Sequence, residues 1–166
     1  MRFISVVTFV PAVLLLIGAA SAPGADWPTY QHDFKRSGGT EEQLALPLAV
    51  KWQFQPRYAP NPAWSDDPSV INPYSGRWGR QRGLYANILD FDFAFHPVEA
   101  GGSVYFGSSA DHRVFCLDAA SGAVRWTFST EGAVRMAPSV WENKVYAGSD
   151  DGYVYCLAAD GGKLLW

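Results

Sequence analysis

The stretch Val104–Trp126, VYFGSSADHRVFCLDAASGAVRW, is written a second time, with variations, as VYAGSDDGYVYCLAADGGKLLW at Val145–Trp166. Tyr105 to Tyr146 and Gly107 to Gly148 are 41 positions apart, whereas Cys116 to Cys156, Gly122 to Gly162 and Trp126 to Trp166 are 40 apart, so one residue is dropped in the turn between. A period near 40 with several short β-patterned runs per unit is the mark of a β-propeller blade or a related array, whose units bury their faces only against one another. Aromatic content of 15% with 16 Gly and 11 Pro agrees with an all-β chain rich in turns and disagrees with a helical bundle. A closed propeller needs about four to eight four-stranded blades, or about 160 residues given wholly to blades, and this chain does not have them. The expectation is a partial β-propeller of about two four-stranded blades plus an N-terminal closing strand, with the remaining blades in the same full-length protein beyond Trp166.

The first 20 residues account for part of the difference. Arg2 precedes an apolar run, Phe3–Ile17, that leads into Gly18–Ala19–Ala20–Ser21–Ala22, the layout of a secretory signal peptide. The run holds 15 residues and includes Pro11, short of the roughly 20 needed to cross a bilayer. Cleavage after Ala20 is preferred over Ala22, because Pro23 would then stand just past the cut. The mature protein is expected to be periplasmic or extracellular, without a membrane span. It carries 12 basic and 16 acidic residues, a net charge of −4, which argues against sequence-independent nucleic-acid binding. Cys116 and Cys156 occupy equivalent places in successive units about 10 Å apart, beyond the roughly 7 Å Cα separation that a bridge tolerates. Two buried free thiols are expected.

Residues 21–47 read as an extended arm, with Trp27 and Tyr30 ahead of a polar, turn-rich segment. His32 and Asp33 lack the companions a metal site needs, and a surface turn is the better reading. The repeat region spans 48–166. In it, Val50, Trp52 and Phe54 alternate with Lys51 and Gln53, and Lys51–Trp52–Gln53–Phe54 parallels Arg125–Trp126–Thr127–Phe128. This stretch is therefore expected to be an outer strand of a further blade. Residues 55–90 form an insertion broken by five prolines between Pro56 and Pro73. There Arg77, Arg80 and Arg82 surround Trp78, a combination able to hold an anion or stack on a sugar, against the plainer reading of a solvated loop with one anchoring tryptophan.

The two blades are placed at about 91–129 and 133–166. In the first, strands are expected at Phe93–Val98, Val104–Ser108, Arg113–Asp118 and Ala123–Ser129; in the second, at Val134–Trp141, Lys144–Ser149, Tyr153–Ala158 and Lys163–Trp166. Gly101–Gly102, Glu142–Asn143 and Asp150–Asp151–Gly152 supply hairpin turns. Asp150–Asp151 lacks the further ligands of a calcium loop.

Cys116–Trp126, CLDAASGAVRW, resembles the signature of pyrroloquinoline quinone (PQQ)-type propeller repeats, close to A-x-D-x-x-T-G-x-x-x-W. Leu117, Asp118, Gly122 and Trp126 match it; the second copy keeps Gly162 and Trp166 but has Ala158 in place of Asp. The arm is similar to that of secreted bacterial members, through Trp27–Pro28–Thr29–Tyr30, Asp33 and Arg36–Ser37–Gly38. The resemblance implies that Trp126, Gly122, Trp166 and Gly162 make blade-to-blade docking contacts, that Asp118 holds its turn, and that the blade with Ala158 is less regular. It does not choose an activity, because the repeat serves both quinoprotein dehydrogenases and non-enzymatic scaffolds.

The leading expectation is a non-catalytic binding or scaffold module of the cell envelope, with an envelope protein, a peptide or a glycan as partner and no cofactor. Asp92, His96 and Arg135 are then the polar residues that would line an axial channel. Duller roles are backbone satisfaction by His96 and pairing of Arg135 with a neighbouring blade's carboxylate. The alternative is the N-terminal part of an alcohol or sugar dehydrogenase that uses PQQ with calcium. The family's alcohol-oxidising enzymes carry adjacent cysteines at the cofactor, whereas Cys116 and Cys156 are 40 apart and no haem-attachment motif is present. No catalytic residues are assigned.

Overall fold

A computed structural model describes residues 25–44, 46–60 and 95–166. The described chain is built from antiparallel β-structure. The first sheet has four strands in the order β1 (Val98–Ala100), β2 (Ser103–Ser108), β3 (Arg113–Asp118) and β4 (Val124–Ser129), and the second has three, β5 (Ser139–Trp141), β6 (Lys144–Gly148) and β7 (Val154–Ala158). A fourth segment lies along β7 without a full ladder: Leu164 bridges Leu157, Leu165 N–H donates to the Cys156 carbonyl, and Cys156 N–H donates to the Trp166 carbonyl.

Both innermost strands are shorter than the sequence led us to expect, starting at Val98 and Ser139 rather than Phe93 and Val134. Each follows a proline, Pro97 or Pro138. Proline has no N–H to give to a ladder and restricts the residue before it, so pairing begins only past it. The turns that follow have backbones suited to tight two-residue hairpins: φ is +56° and +70° at Gly101–Gly102, and +47° and +58° at Glu142–Asn143.

Register assigns the faces. Val98, Tyr105, Cys116 and Trp126 are cross-strand neighbours in the first sheet, and with Val114 and Phe128 they face Val140, Val145, Leu157, Ala147 and Tyr155 of the second. The opposite face of the first sheet presents Phe106 and Phe115, stacked at 5.1 Å and 4°. Phe54 and Phe95 cover that face, with Phe54 5.3 Å from Phe106 and 5.7 Å from Phe115. The first sheet is thus apolar on both sides, as a stacked repeat requires. Cys116 and Cys156 are both free and buried. Burial also pushes the Cys116 thiol up, so it stays neutral.

Residues 46–60 contain no strand. The alternation read from sequence holds for Trp52 and Phe54, which turn inward, and for Lys51 and Gln53, which turn out. It fails at Val50, which is 87% exposed. Backbone N–H and C=O groups form a strand only where a partner offers a ladder, and among the described residues this segment has none.

The arm is fastened to both inner strands. Trp27 and Glu99 exchange backbone hydrogen bonds of 2.7 and 2.9 Å, and Val140 N–H donates to the Pro28 carbonyl at 2.8 Å. One residue on, the buried Thr29 hydroxyl meets Ser139 Oγ at 2.8 Å and accepts from Arg36 Nη1 at 3.1 Å. The arm therefore occupies the free edge of β1, which would otherwise offer unpaired backbone groups.

Candidate functional site: a repeated docking contact and the cleft beside it

The same contact is made twice. The turn from Asp118 to Ala123 is closed by Gly122 N–H donating to the Asp118 carbonyl and Asp118 N–H donating to the Ala123 carbonyl, both at 2.8 Å. Gly122 has φ +74°, and a Cβ there would stand 2.7 Å from Trp52 ring atoms. The absence of a side chain lets the Trp52 indole lie on the turn, where Nε1 donates to the Ala119 carbonyl at 2.9 Å. Forty residues later Gly162 has φ +69°, a Cβ would meet the Trp126 ring at 2.6 Å, and Trp126 Nε1 donates to the Ala159 carbonyl at 2.9 Å. Glycine is required at both places on two grounds, left-handed backbone and close approach. Phe54 and Phe128 extend the contact onto Phe115 and Tyr155, at 5.7 and 5.3 Å.

Asp118 is fixed by its own turn. Its Oδ1 accepts from Ala120 N–H at 3.0 Å and from Ser121 N–H and Oγ–H at 2.8 Å each, while Oδ2 pairs with Arg125 at 2.6 Å. The Ser121 and Arg125 bonds stabilise the anion and hold the Asp118 carboxyl at about 2. Arg125 also donates to Ser103 Oγ. At Ala158 this carboxylate is missing, yet the turn keeps its two backbone bonds, Gly162 N–H to the Ala158 carbonyl and Ala158 N–H to the Lys163 carbonyl, both 2.8 Å. The backbone closes the turn; the aspartate is an additional clamp.

A second inter-repeat contact had no counterpart in the sequence reading. A Cβ on Gly107 would lie 2.3 Å from Val134 Cγ1, so the connector between the sheets packs directly on β2. The 41-residue recurrence of Gly107 at Gly148 was its only trace, and at Gly148 no atom of the described residues lies within 4 Å.

Of the three channel candidates, Asp92 lies outside the described residues, as do Arg77, Trp78, Arg80 and Arg82 of the insertion. His96 is half-buried beneath the arm, in a cleft of ≈ 420 Å³ with Trp27, Tyr30 and Phe95. Arg135 pairs through Nε with Asp150 Oδ2 at 2.6 Å. That carboxylate comes from the β6–β7 turn of its own repeat, not from a neighbouring blade. His32 and Asp33 lie in a surface turn in which Asp33 Oδ1 accepts from Ser37 N–H at 3.0 Å. Trp166, for which the resemblance implies a docking role, is 65% exposed and meets no glycine turn among the described residues, with the Tyr146 ring 6.2 Å away.

A larger cleft, ≈ 540 Å³, opens between the two sheets beside the docking contact, bounded by the hairpin turns at Gly101 and at Glu142–Asn143 and by the arm. Tyr105 reaches into this boundary, its hydroxyl donating to the Ala159 carbonyl at 3.5 Å.

The two cysteines lie on successive sheets and are buried, and among the described residues no group of three or more His, Cys, Asp or Glu is arranged to hold a metal. Among the same residues no helix is long and apolar enough to cross a membrane.

Two stacked antiparallel sheets joined by a recurring tryptophan-on-glycine contact define a β-propeller array. The family described as outer membrane protein assembly factor BamB, a PQQ-like repeat family, matches residues 61–166, and the chain belongs to it. The two sheets are thus neighbouring blades of a partial propeller. Among curated proteins, the chain is 29% identical to the quinoprotein ethanol dehydrogenase of Pseudomonas putida over 95% of its length and 26% of that protein. It is 25% identical to the 1-butanol dehydrogenase (quinone) of Thauera butanivorans over 93% of its length and 24% of that protein. It therefore spans about a quarter of these two relatives, and 7% of the mouse beta-alanine-activating enzyme that it also matches. Similar solved structures include BamB from Moraxella catarrhalis, at 23% identity and TM-score 0.37 over 40% of this chain and 20% of that one. A quinohemoprotein alcohol dehydrogenase from Pseudomonas putida is 28% identical with TM-score 0.40, over 45% of this chain and 13% of that one.

Proposed function

We propose that the protein is an exported PQQ-like repeat propeller that acts as a binding or scaffold module in the cell envelope. One observation carries this reading: the polar side chains held in place on the two blades are engaged in turns and local pairs. Asp118 is engaged by Ser121 and Arg125, Asp150 by Arg135, and Asp151 by the Tyr155 hydroxyl at 2.8 Å. No acid, base and oriented partner converge among the described residues, as a reaction would need. The signal-like segment at residues 1–20 and membership of a family described by outer-membrane assembly support export. An envelope protein, a peptide or a glycan is the partner class of this reading.

A second reading is favoured by the relatives, two of which are named as quinone-dependent alcohol dehydrogenases and align along more than nine-tenths of the chain. In it, this region is the N-terminal part of such an enzyme and the quinone is held elsewhere in the ring. One assay separates the two. The full-length product is incubated with PQQ and Ca²⁺ and offered a panel of alcohols and sugars with a redox dye. The scaffold reading expects no dye reduction; substrate-dependent reduction overturns it.

A further inference from the structure

Two aromatic rings stand open at the cleft between the blades. Trp141 is 54% exposed and Phe34 is 56% exposed, and they meet in a T-shaped contact with centroids 5.2 Å apart at 83°. Phe34 belongs to the arm and Trp141 ends β5, so the fastening of the arm to β5 also sets this pair. Burying either ring elsewhere would be favourable, and an edge-on partner leaves much of the indole open.

The walls beside the rings supply planar hydrogen-bonding groups: the carboxylates of Asp26, Glu142 and Asp160 and the amide of Asn143. Asp26 is oriented by Gly101 N–H, which donates to Oδ1 at 3.1 Å. The hairpin at Glu142–Asn143 is held by Ala159 N–H donating to the Asn143 carbonyl at 3.0 Å. The cation in the wall, Arg125, is compensated by Asp118 at 2.6 Å. Among the described residues the cleft therefore offers acceptors and an apolar platform but no unpaired cation, an environment that repels anions.

A hexose ring matches this combination. One of its faces is a patch of C–H groups suited to an exposed indole, and its rim carries hydroxyls that carboxylates and an amide can bond in pairs. We propose that the cleft between the blades binds a neutral saccharide, with the Trp141 indole as stacking platform and Asp26, Glu142, Asn143 and Asp160 as hydroxyl partners. The proposal rests on the glycan form of the binding reading; its failure would leave the protein and peptide forms standing, and the dye-reduction assay tests the binding reading separately.

The test is a titration of the full-length product with maltotetraose, cellotetraose and chitotetraose, followed by tryptophan fluorescence and by saturation-transfer NMR. At least one saccharide should give a saturable response. That response should weaken by about tenfold or more in Trp141→Ala, the scale of one lost stacking contact. It should weaken less in Trp141→Phe, and persist in Trp166→Ala and in high salt. Asp160→Ala, at an exposed position, gives a second reading should Trp141→Ala perturb the fold, and it too should weaken the response. Silence from all three saccharides overturns the proposal, as does a response untouched by both the Trp141 and Asp160 changes. So does a response that free arginine displaces and salt abolishes, since that would identify a cation site.

Discussion

Gly162 and Gly148 stand 14 residues apart in one repeat, and alanine at each should have opposite consequences. At Gly162 a methyl group meets the Trp126 ring at 2.6 Å on a backbone with φ +69°, combining overpacking with a left-handed conformation. Each ordinarily costs about 1–3 kcal/mol, so Gly162→Ala should destabilise by at least about 2 kcal/mol. At Gly148 no described atom lies within 4 Å and φ is ordinary, so in a protein of residues 21–166 Gly148→Ala should be neutral or mildly stabilising. Urea midpoints of the two variants check both expectations. Asp118 makes a different prediction. Its carboxyl is held at about 2 against an ordinary value of 3.8. A carboxyl depressed in the folded state stabilises above its unfolded value and loses that contribution as pH falls through the folded one. Part of the acid sensitivity of the fold between about pH 4 and pH 2 should thus come from Asp118. Asp118→Asn should flatten the fall in Tm over that window, and the Asp118 carboxyl 13C shift should titrate near pH 2. Titration at the ordinary carboxylate value would contradict the clamp.

At the scale of elements, the arm ties the inner edges of two blades through few bonds, so its removal should be felt locally. Deleting residues 25–38 should speed hydrogen exchange at Glu99 N–H and Val140 N–H, which donate to Trp27 and Pro28 carbonyls, and leave Val145, central in its sheet, protected. Uniform loss of protection would mean that the arm holds the whole fold. The elements also show how far the sequence could be read. Strands β2, β3, β4, β6 and β7 were legible to within a residue because alternation and turn chemistry agree there. The innermost strands were overextended, since apolar spacing continues through Pro97 and Pro138 while the hydrogen-bond donor does not. Trp52 was legible by likeness to Trp126, and the docking role of glycine and tryptophan came from the resemblance to the PQQ-type repeat signature rather than from spacing. The carboxylate that pairs with Arg135 was not legible, because spacing along the chain does not say which turn folds back on which connector. The Phe34–Trp141 pair was hidden for a related reason: its members are 107 residues apart and belong to no repeat.

For the molecule as a whole, β7 and the segment after it leave Tyr153, Val154, Leu164, Leu165 and Trp166 each at least 46% exposed. Apolar groups so concentrated are what another blade would cover. A protein of residues 21–166 alone is expected to bind a hydrophobic dye and to self-associate in sizing experiments; a dye-silent, cooperative monomer would contradict this. The central claim is that tryptophan lying on a side-chain-free turn fixes each repeat against the next. A double-mutant cycle of Trp126→Ala and Gly162→Ala, read by chemical denaturation, tests it most directly. Removing the indole removes the steric part of the glycine's role, so Gly162→Ala should cost about 1 kcal/mol or more less in the Trp126→Ala background than in the parent. Additive costs would mean that the two residues act independently and that the docking contact does not hold the blades together.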